Sequence, residues 1–333
     1  MRVVAAADKF RGTATAREVV IAIAYAVESL GGSCDAFALA DGGEGTLDAL
    51  GGPNRTTTVT GPLGDAVDAA WRYEDHTAVI EMAKASGLSL VGGAGGNDPI
   101  AAATHGTGEL MAAALDRGAR RIIVALGGSA TTDGGLGALR ALWPVHRLRG
   151  VELIGACDVR THFVDAARVF APQKGATAAQ VSFLQRRLER LADLYREEYG
   201  VDVREIPGSG AAGGLGGALA AVGAELVSGF KVVAEELHLA ECIAGADLVI
   251  TGEGFLDEQS FDGKVVGGVV DLAHAAGVPV IAVVGDSAPR VGDRVEVLSL
   301  VERYGQDDAM WATTACIEDA VFKWLHDGAT AAG

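Results

Sequence analysis

Residues 121–135 read RIIVALGGSATTDGG and contain the pattern that decides the fold. The first six residues, Arg121–Leu126, are mostly apolar and rich in β-branched side chains, which predicts a strand buried on both faces of a parallel sheet. Glycine, serine and threonine then dominate up to Gly135, where we expect a helix to begin. A strand, a glycine-rich loop and a helix in this order make one βα unit.

Strands of the same kind recur along the chain between helical segments. We predict them at Arg2–Ala7, Cys34–Ala40, Glu152–Cys157, Asp247–Thr251, Val278–Val284 and Glu296–Val301. Two helices have clear N-terminal signals, because Thr15 with Glu18, and Thr177 with Gln180, form the capping-box pattern ahead of an apolar stripe. This alternation of strands and helices predicts an α/β protein.

The length of 333 residues suggests two α/β domains. The first two and the last three predicted strands look Rossmann-like, whereas the middle is richer in glycine loops. We therefore predict a split Rossmann-like parallel-sheet domain, 1–56 plus 240–333, with a second α/β domain, 57–239, inserted into it. The active site is expected in the cleft between them.

The composition excludes several classes of partner. Asp and Glu number 44 against 27 Lys and Arg, and the formal net charge of −17 repels nucleic acid and anionic membrane surfaces. The four cysteines form no CxxC pair, the histidines lack metal-ligand spacing, and no apolar run reaches the roughly 18 residues of a membrane span. We expect a cytoplasmic protein with small-molecule ligands and without signal peptide, membrane anchor or nucleic-acid partner. A homodimer is one option for its oligomeric state.

Acidic residues follow the predicted strands at their carboxyl ends, where open α/β sheets bind ligands. Asp8, Asp41, Asp133, Asp158 and Glu253 each occupy such a position. A single carboxylate at the end of a strand usually caps the following helix, but five such carboxylates are more than helix capping requires. Carboxylates beside a phosphate typically hold Mg²⁺, and one of them can act as a base.

The loop Gly127–Gly135 is the best candidate for binding phosphate. Its glycines allow close backbone approach, its hydroxyl side chains donate hydrogen bonds, and the following helix would direct free N–H groups at an anion. No Gly-Lys-Ser/Thr follows, so the loop is not a P-loop. A purely structural glycine turn is the alternative.

Residues Gly208–Gly213 fit the GxGxxG pattern, but Pro207 cuts off the strand that should precede it. We therefore favour backbone packing against a nucleotide or the neighbouring domain. An NAD-dependent oxidoreductase is an alternative that rests on this motif alone.

Motifs spread over nearly the whole chain resemble the bacterial glycerate kinase type 1 family. They are Asp8-x-Phe10-x-Gly12, LADGGEGT at 39–46, VTGPLG at 59–64, IEMA at 80–83, GTGEL at 106–110, Gly127–Gly135, ACDV at 156–159, FAPQKGA at 170–176, Gly208–Gly214, and VITGEG at 249–254 with Asp257, Gln259-Ser260 and Gly263-Lys264. The resemblance implies ATP- and Mg²⁺-dependent phosphorylation of D-glycerate, usually at the 2-hydroxyl, to give 2-phosphoglycerate. It also implies the split Rossmann-like domain with its insertion. The alternatives are a kinase of the same family for a related small hydroxy acid, and a non-catalytic metabolite-binding homologue.

We assign expected roles to the residues at these positions. Asp158 is the candidate general base. Arg11 and Lys174 are candidates for contacts with the glycerate carboxylate and the transferring phosphate. Candidates for Mg²⁺, directly or through water, are Asp41, Asp133 and Asp8. The remaining predicted substrate- and phosphate-binding residues are Gly42, Gly43, Thr107, Gly127, Gly128, Ser129, Thr131, Thr132, Gly213, Gly214, Glu253, Asp257 and Lys264, together with Asp8.

The sequence departs from the family pattern in several places. Arg11 stands where the family usually has Lys, and Phe255 stands where it usually has Arg, which removes one cation. Asp158-Val159 precedes Arg160–Phe163 rather than an Asn-Pro turn, and the segment 141–151 is shortened. These changes bear on the substrate more than on the reaction type, and we expect Arg160 to compensate for the lost cation.

Overall fold

A computed structural model describes residues 1–289 and 291–331. Its strands are β1 (Arg2–Ala7), β2 (Ser33–Ala38), β3 (Arg55–Thr60), β4 (Ala66–Glu74), β5 (Thr77–Glu81), β6 (Arg121–Ala125), β7 (Glu152–Ala156), β8 (Glu225–Val227), β9 (Leu248–Leu256), β10 (Val280–Ser287) and β11 (Glu296–Ser299). Its helices are α1 (Ala16–Ser29), α2 (Thr46–Ala49), α3 (Ala83–Ser86), α4 (His105–Asp116), α5 (Leu136–Ala141), α6 (Ala166–Phe170), α7 (Ala178–Tyr199), α8 (Ala211–Ala221), α9 (Gly229–Glu236), α10 (Leu239–Ala244), α11 (Val265–Ala276), α12 (Leu300–Tyr304), α13 (Gln306–Trp311) and α14 (Thr313–Ala331).

The chain divides into two compact units. Unit 1 consists of Met1–Asp41 and Phe230–Gly333, and unit 2 of Gly42–Gly229. Both divisions come earlier in the chain than the predicted boundaries at 56/57 and 239/240. The segment after the first division belongs to unit 2 because the backbone N–H groups of Gly45 and Leu47 donate to Glu81 Oε1 in β5.

Unit 1 contains an all-parallel five-stranded sheet in the order β11-β10-β9-β1-β2. Helix α1 packs on one face through Val19, Val20 and Ile23, and α11 packs on the other through Val266 and Val270. Because helices cover both faces, β1 is apolar and buried from Val3 to Ala7, which explains why this strand could be predicted from its sequence alone. The Thr15/Glu18 capping box that starts α1 is confirmed.

Unit 2 contains a mixed six-stranded sheet in the order β3-β4-β5-β6-β7-β8. Strands β3, β4 and β5 pair antiparallel, and the strands from β5 to β8 pair parallel. A two-residue turn with positive φ at Asp75 and His76 joins β4 to β5, which is typical of a type I′ hairpin. The strands β3 and β4 were not predicted because β3 exposes half of its residues, β4 exposes a third, and neither has a continuous apolar run.

Helix α7 of unit 2 begins at the predicted Thr177/Gln180 capping box. It buries Leu184, Leu188, Leu191 and Tyr195 in one cluster with Phe163, which confirms the apolar stripe predicted after this capping box.

The four cysteines are free thiols, and Cys316 alone among the four is buried. None of the helices in the described ranges is long and apolar enough to span a membrane.

Candidate active site

A cleft of about 580 Å³ opens in unit 1 at the carboxyl ends of β1 and β9. Numbered along this unit, the strands have the spatial order 2-1-3-4-5, and β1 and β9 flank the point where the order reverses, which is where α/β sheets bind ligands. The charged residues that line the cleft are Asp8, Lys9, Arg11, Asp41, Glu253, Asp257, Lys264 and Asp286. The structure therefore brings together six residues that the sequence analysis singled out: Asp8, Arg11, Asp41, Glu253, Asp257 and Lys264.

Two carboxylates of this cleft have raised pKa values. Burial, together with the charge of Asp41, raises the pKa of Asp8 to about 6, although the Lys9 N–H donates to Asp8 Oδ1 at 2.7 Å. Burial raises the pKa of Glu253 to about 7, and the charge of Asp8 adds to this effect. Perturbed acids in a cleft are typical of functional sites.

Asp257 has a structural contact within the same cleft. Its Oδ1 accepts from the Ser260 N–H at 3.0 Å, and the Ser260 hydroxyl accepts from the Asp257 N–H at 3.1 Å, so the two residues cap the short 3₁₀ helix Glu258–Phe261. Lys264 directly precedes α11, and its own side chain does not cap the N-terminus of that helix. The lining of the cleft thus includes a cation that lies next to the start of a helix.

The glycine loop of unit 2 is mostly buried. Residues 129–135 are all buried, whereas Gly128 is exposed. Lys174 is only 3% exposed, and its Nζ donates to Ser129 Oγ and to the Thr131 carbonyl, each at 2.7 Å. Burial lowers the pKa of Lys174 to about 7, an effect that the charge of Asp133 partly opposes. Lys174 therefore fastens the loop from its inner side.

Asp133 caps the helix that follows this loop. Its Oδ2 accepts from the Thr104 N–H, the Thr104 hydroxyl and the Gly137 N–H at 2.9, 2.8 and 3.1 Å, and its Oδ1 accepts from the Gly135 N–H at 3.1 Å. The N–H groups that we expected to face a phosphate are thus used by a protein carboxylate. Within the described ranges no three His, Cys, Asp or Glu side chains form a metal-binding group. These contacts favour a positioning role for Asp133 over the expected Mg²⁺ contact.

The GxGxxG segment packs against the glycine loop. The Gly134 N–H donates to the Gly213 carbonyl at 3.0 Å, and a Cβ on Gly213 would lie 2.0 Å from the Thr131 carbonyl oxygen. Ala212, Gly213 and Gly214 all have positive φ. Close backbone packing therefore explains why glycines occupy these positions. The GxGxxG segment packs against the glycine loop, which belongs to the same unit.

The segment that begins at Gly42 contacts the other end of the loop. The Gly127 N–H donates to the Gly42 carbonyl at 3.1 Å, and a Cβ on Gly127 would lie 2.5 Å from the Gly43 Cα. The glycines of both motifs thus allow backbone segments to approach each other closely.

We expect Gly213→Ala to lower the free energy of unfolding by about 2–5 kcal/mol, because it adds both a backbone clash and left-handed strain. Gly200→Ala is the matched control, since Gly200 also has positive φ but a Cβ added there would meet no described atom within 4 Å. That control should cost about 1–2 kcal/mol. Denaturant unfolding measures both, and equal losses would contradict the packing argument.

Asp158 and Thr107 occupy different environments in unit 2. Asp158 follows β7 and is half-buried. Burial, together with the charge of Asp158, raises the pKa of Cys157 to about 11. Thr107 is buried on α4, where its hydroxyl lies 2.9 Å from Ser86 Oγ. Thr107 therefore supports the packing of this unit.

Sequence reasoning missed several residues that hold or line these sites. Asn97 Nδ2 donates to the carbonyls of Ala130 and Lys174 at 3.0 and 2.9 Å, which links the glycine loop to the segment around Lys174. Its position after the glycine-rich stretch 92–96 was a weak signal. Met310 reaches the cleft of unit 1 from α13, and no local pattern indicated this.

Carboxylates and cations at the carboxyl edge of a parallel sheet define an α/β enzyme that binds anionic small molecules. Comparison with known proteins identifies the family to which this enzyme belongs. The model of the glycerate kinase family matches residues 3–143 and 144–320, so the chain belongs to that family. Membership makes it a kinase and implies ATP as the phosphoryl donor.

Individual relatives agree with this assignment. The chain is 38% identical over 368 residues to glycerate 2-kinase of Escherichia coli (strain K12), covering 98% of this chain and 94% of that protein. It is 39% identical to a glycerate kinase of Bacillus subtilis (strain 168), covering 86% and 85%. The crystal structure of a Salmonella typhimurium LT2 protein assigned as glycerate kinase 2 superposes with a TM-score of 0.83 at 35% identity, covering 99% of this chain and 98% of that one.

Proposed function

We propose that this member of the glycerate kinase family transfers the γ-phosphoryl group of ATP to the 2-hydroxyl of D-glycerate, giving 2-phosphoglycerate and ADP. The observation that carries the proposal is the unit 1 cleft, which combines cations for anionic groups with carboxylates at the reversal point of the sheet. The strand order of unit 1, 2-1-3-4-5, is the flavodoxin-like order of doubly wound sheets, which binds ligands at a reversal point as the predicted Rossmann-like order does.

Magnesium fits the carboxylates of this cleft. Asp41 lies close enough to Asp8 for its charge to raise the pKa of that group, so two carboxylates face the same space. Mg²⁺ is usually bound by one or two carboxylates plus substrate phosphates, so a larger cluster of protein ligands is unnecessary. We assign Asp41, with Asp8 beside it, to this ion. When bound, Mg²⁺ would neutralise charge on the phosphates.

The protein residues then have separate tasks. Asp158 takes the proton from the 2-hydroxyl of D-glycerate while the oxygen of that hydroxyl bonds to the γ-phosphorus. The bond between the γ-phosphorus and the β–γ bridging oxygen breaks, and its electron pair stays with ADP. Arg11 and Lys264 balance the negative charge of the bound anions. Lys174 and Asp133 hold the shape of the glycine loop from inside unit 2.

The experiment that tests this function is ADP release in a coupled assay with ATP, Mg²⁺ and D-glycerate. We expect release only when both the acid and the metal are present, because so acidic a chain needs a cation to bind ATP. Glycolate and L-lactate, added separately, test whether a related hydroxy acid is the better acceptor. Equal ADP release with and without a chelator would contradict the metal requirement.

A further inference from the structure

The cleft of unit 1 has an apolar part that glycerate cannot use. Phe255 and Met310 line it, and each is 54% exposed. The remaining apolar lining residues are Phe10, Val301 and Ala309. Every carbon of glycerate bears oxygen, so glycerate has no apolar surface to cover these side chains. The apolar part therefore fits some other portion of a ligand, and exposed aromatic faces suit a flat heterocyclic ring.

The charged part of the same cleft fits phosphate groups. Arg11 and Lys264 supply cations, and Lys264 directly precedes the twelve-residue helix α11. The side chain of Lys264 does not cap this helix, and the first N–H groups of an α-helix lack partners within the helix itself, which is why helix N-termini can bind phosphate. A cation, the N-terminus of a helix and a cleft thus occur together.

The volume of the cleft also favours a ligand larger than glycerate. Its volume of about 580 Å³ lies within the range of cofactor and nucleotide pockets, roughly 300–1,000 Å³, and exceeds what a three-carbon acid fills.

The glycine loop of unit 2 is a poorer phosphate site than its sequence suggests. Residues 129–135 are buried, and Lys174 and Asp133 already bond to the loop from inside. Only its start, at Gly127 and Gly128, reaches the surface. This leaves the unit 1 cleft as the better nucleotide site.

We propose that the unit 1 cleft is the nucleotide site, with the base against Phe255 and Met310 and the phosphates at Arg11, Lys264 and the N-terminus of α11. This inference rests on the proposed function only for the choice of ATP as ligand. It reassigns Arg11 from the glycerate carboxylate, where the sequence analysis placed it, to the nucleotide phosphates.

Calorimetric titration of the full chain with ADP and with inorganic pyrophosphate, at constant Mg²⁺, tests the site. Phe255→Ser should raise the Kd of ADP by about 5–100-fold through lost stacking and leave the Kd of pyrophosphate unchanged. Arg11→Ala, with Lys264→Ala as a second variant, should weaken both probes because both contain phosphate. Phe183→Ser is the matched control, since Phe183 is 48% exposed on α7 of unit 2. Melting temperatures verify that each variant is folded.

An unchanged Kd of ADP in Phe255→Ser would overturn the proposal, as would absence of ADP binding to the parent. A rise in the KM of D-glycerate with the Kd of ADP unchanged would instead make this cleft the acceptor site. The proposed function fails separately: the parent would then bind ADP in a Phe255-dependent way, yet release none from ATP when D-glycerate is added.

Discussion

Asp158→Asn is expected to lower kcat by about 10²–10⁴ with little change in melting temperature. Asparagine preserves the size of the side chain, but it cannot accept the proton of the substrate hydroxyl. The residue lies at the end of β7, where a reactive carboxylate would be held by a buried strand. Steady-state kinetics and thermal unfolding on the same preparation measure both quantities.

The matched control is Asp165→Asn, because Asp165 is a half-exposed carboxylate whose ion-pair partner is Arg168 in the following turn. We expect the control to keep the parent kcat. If Asp158→Asn also keeps kcat within a few-fold and instead loses about 1 kcal/mol of stability, Asp158 is a cap and not the base.

Lys174→Met is expected to lower the free energy of unfolding by about 2–4 kcal/mol at pH 9, because Ser129 Oγ and the Thr131 carbonyl lose their donor inside the protein. Methionine fills a similar volume, so the loss reports the hydrogen bonds more than a cavity. Chemical unfolding at several pH values measures the effect. Lys231→Met, at an exposed lysine, is the control.

The effect of Lys174→Met should depend on pH in a defined direction. The pKa of Lys174 is about 7 in the folded chain and about 10.5 when unfolded, so between these values the unfolded chain binds more protons. The contribution of Lys174 to the free energy of unfolding of the parent therefore rises with pH between these two values. The variant has no lysine at this position and does not show this rise. A difference between parent and variant that is the same at pH 6 and pH 9 would contradict the burial of an uncharged lysine.

Local signals were sufficient where a short stretch of sequence determines the structure. The capping boxes at Thr15 and Thr177 place the starts of α1 and α7, because the side chain and the N–H groups that it satisfies lie within four residues. The strand β1 was predicted for a similar reason, since burial on both faces goes with an uninterrupted apolar run from Val3 to Ala7. The partly exposed strands β3 and β4 offered no such run.

The candidate site was predicted in part for the same physical reason. Parallel strands place their carboxyl ends on one edge, so Asp8 and Glu253 could be expected to meet there. The burial of the glycine loop could not be foreseen, because it depends on Lys174, which follows the loop by about forty residues in the chain. The apolar wall formed with Met310 likewise depends on tertiary packing of α13.

Phosphorus NMR of the product shows whether the chain phosphorylates D-glycerate at its 2-hydroxyl. The unmodified chain is incubated with ATP, Mg²⁺ and D-glycerate, and the product spectrum is compared with those of 2- and 3-phosphoglycerate. We predict the resonance of 2-phosphoglycerate growing in step with that of ADP. A spectrum containing only 3-phosphoglycerate, or no phosphoglycerate after prolonged incubation of folded protein, would contradict the account.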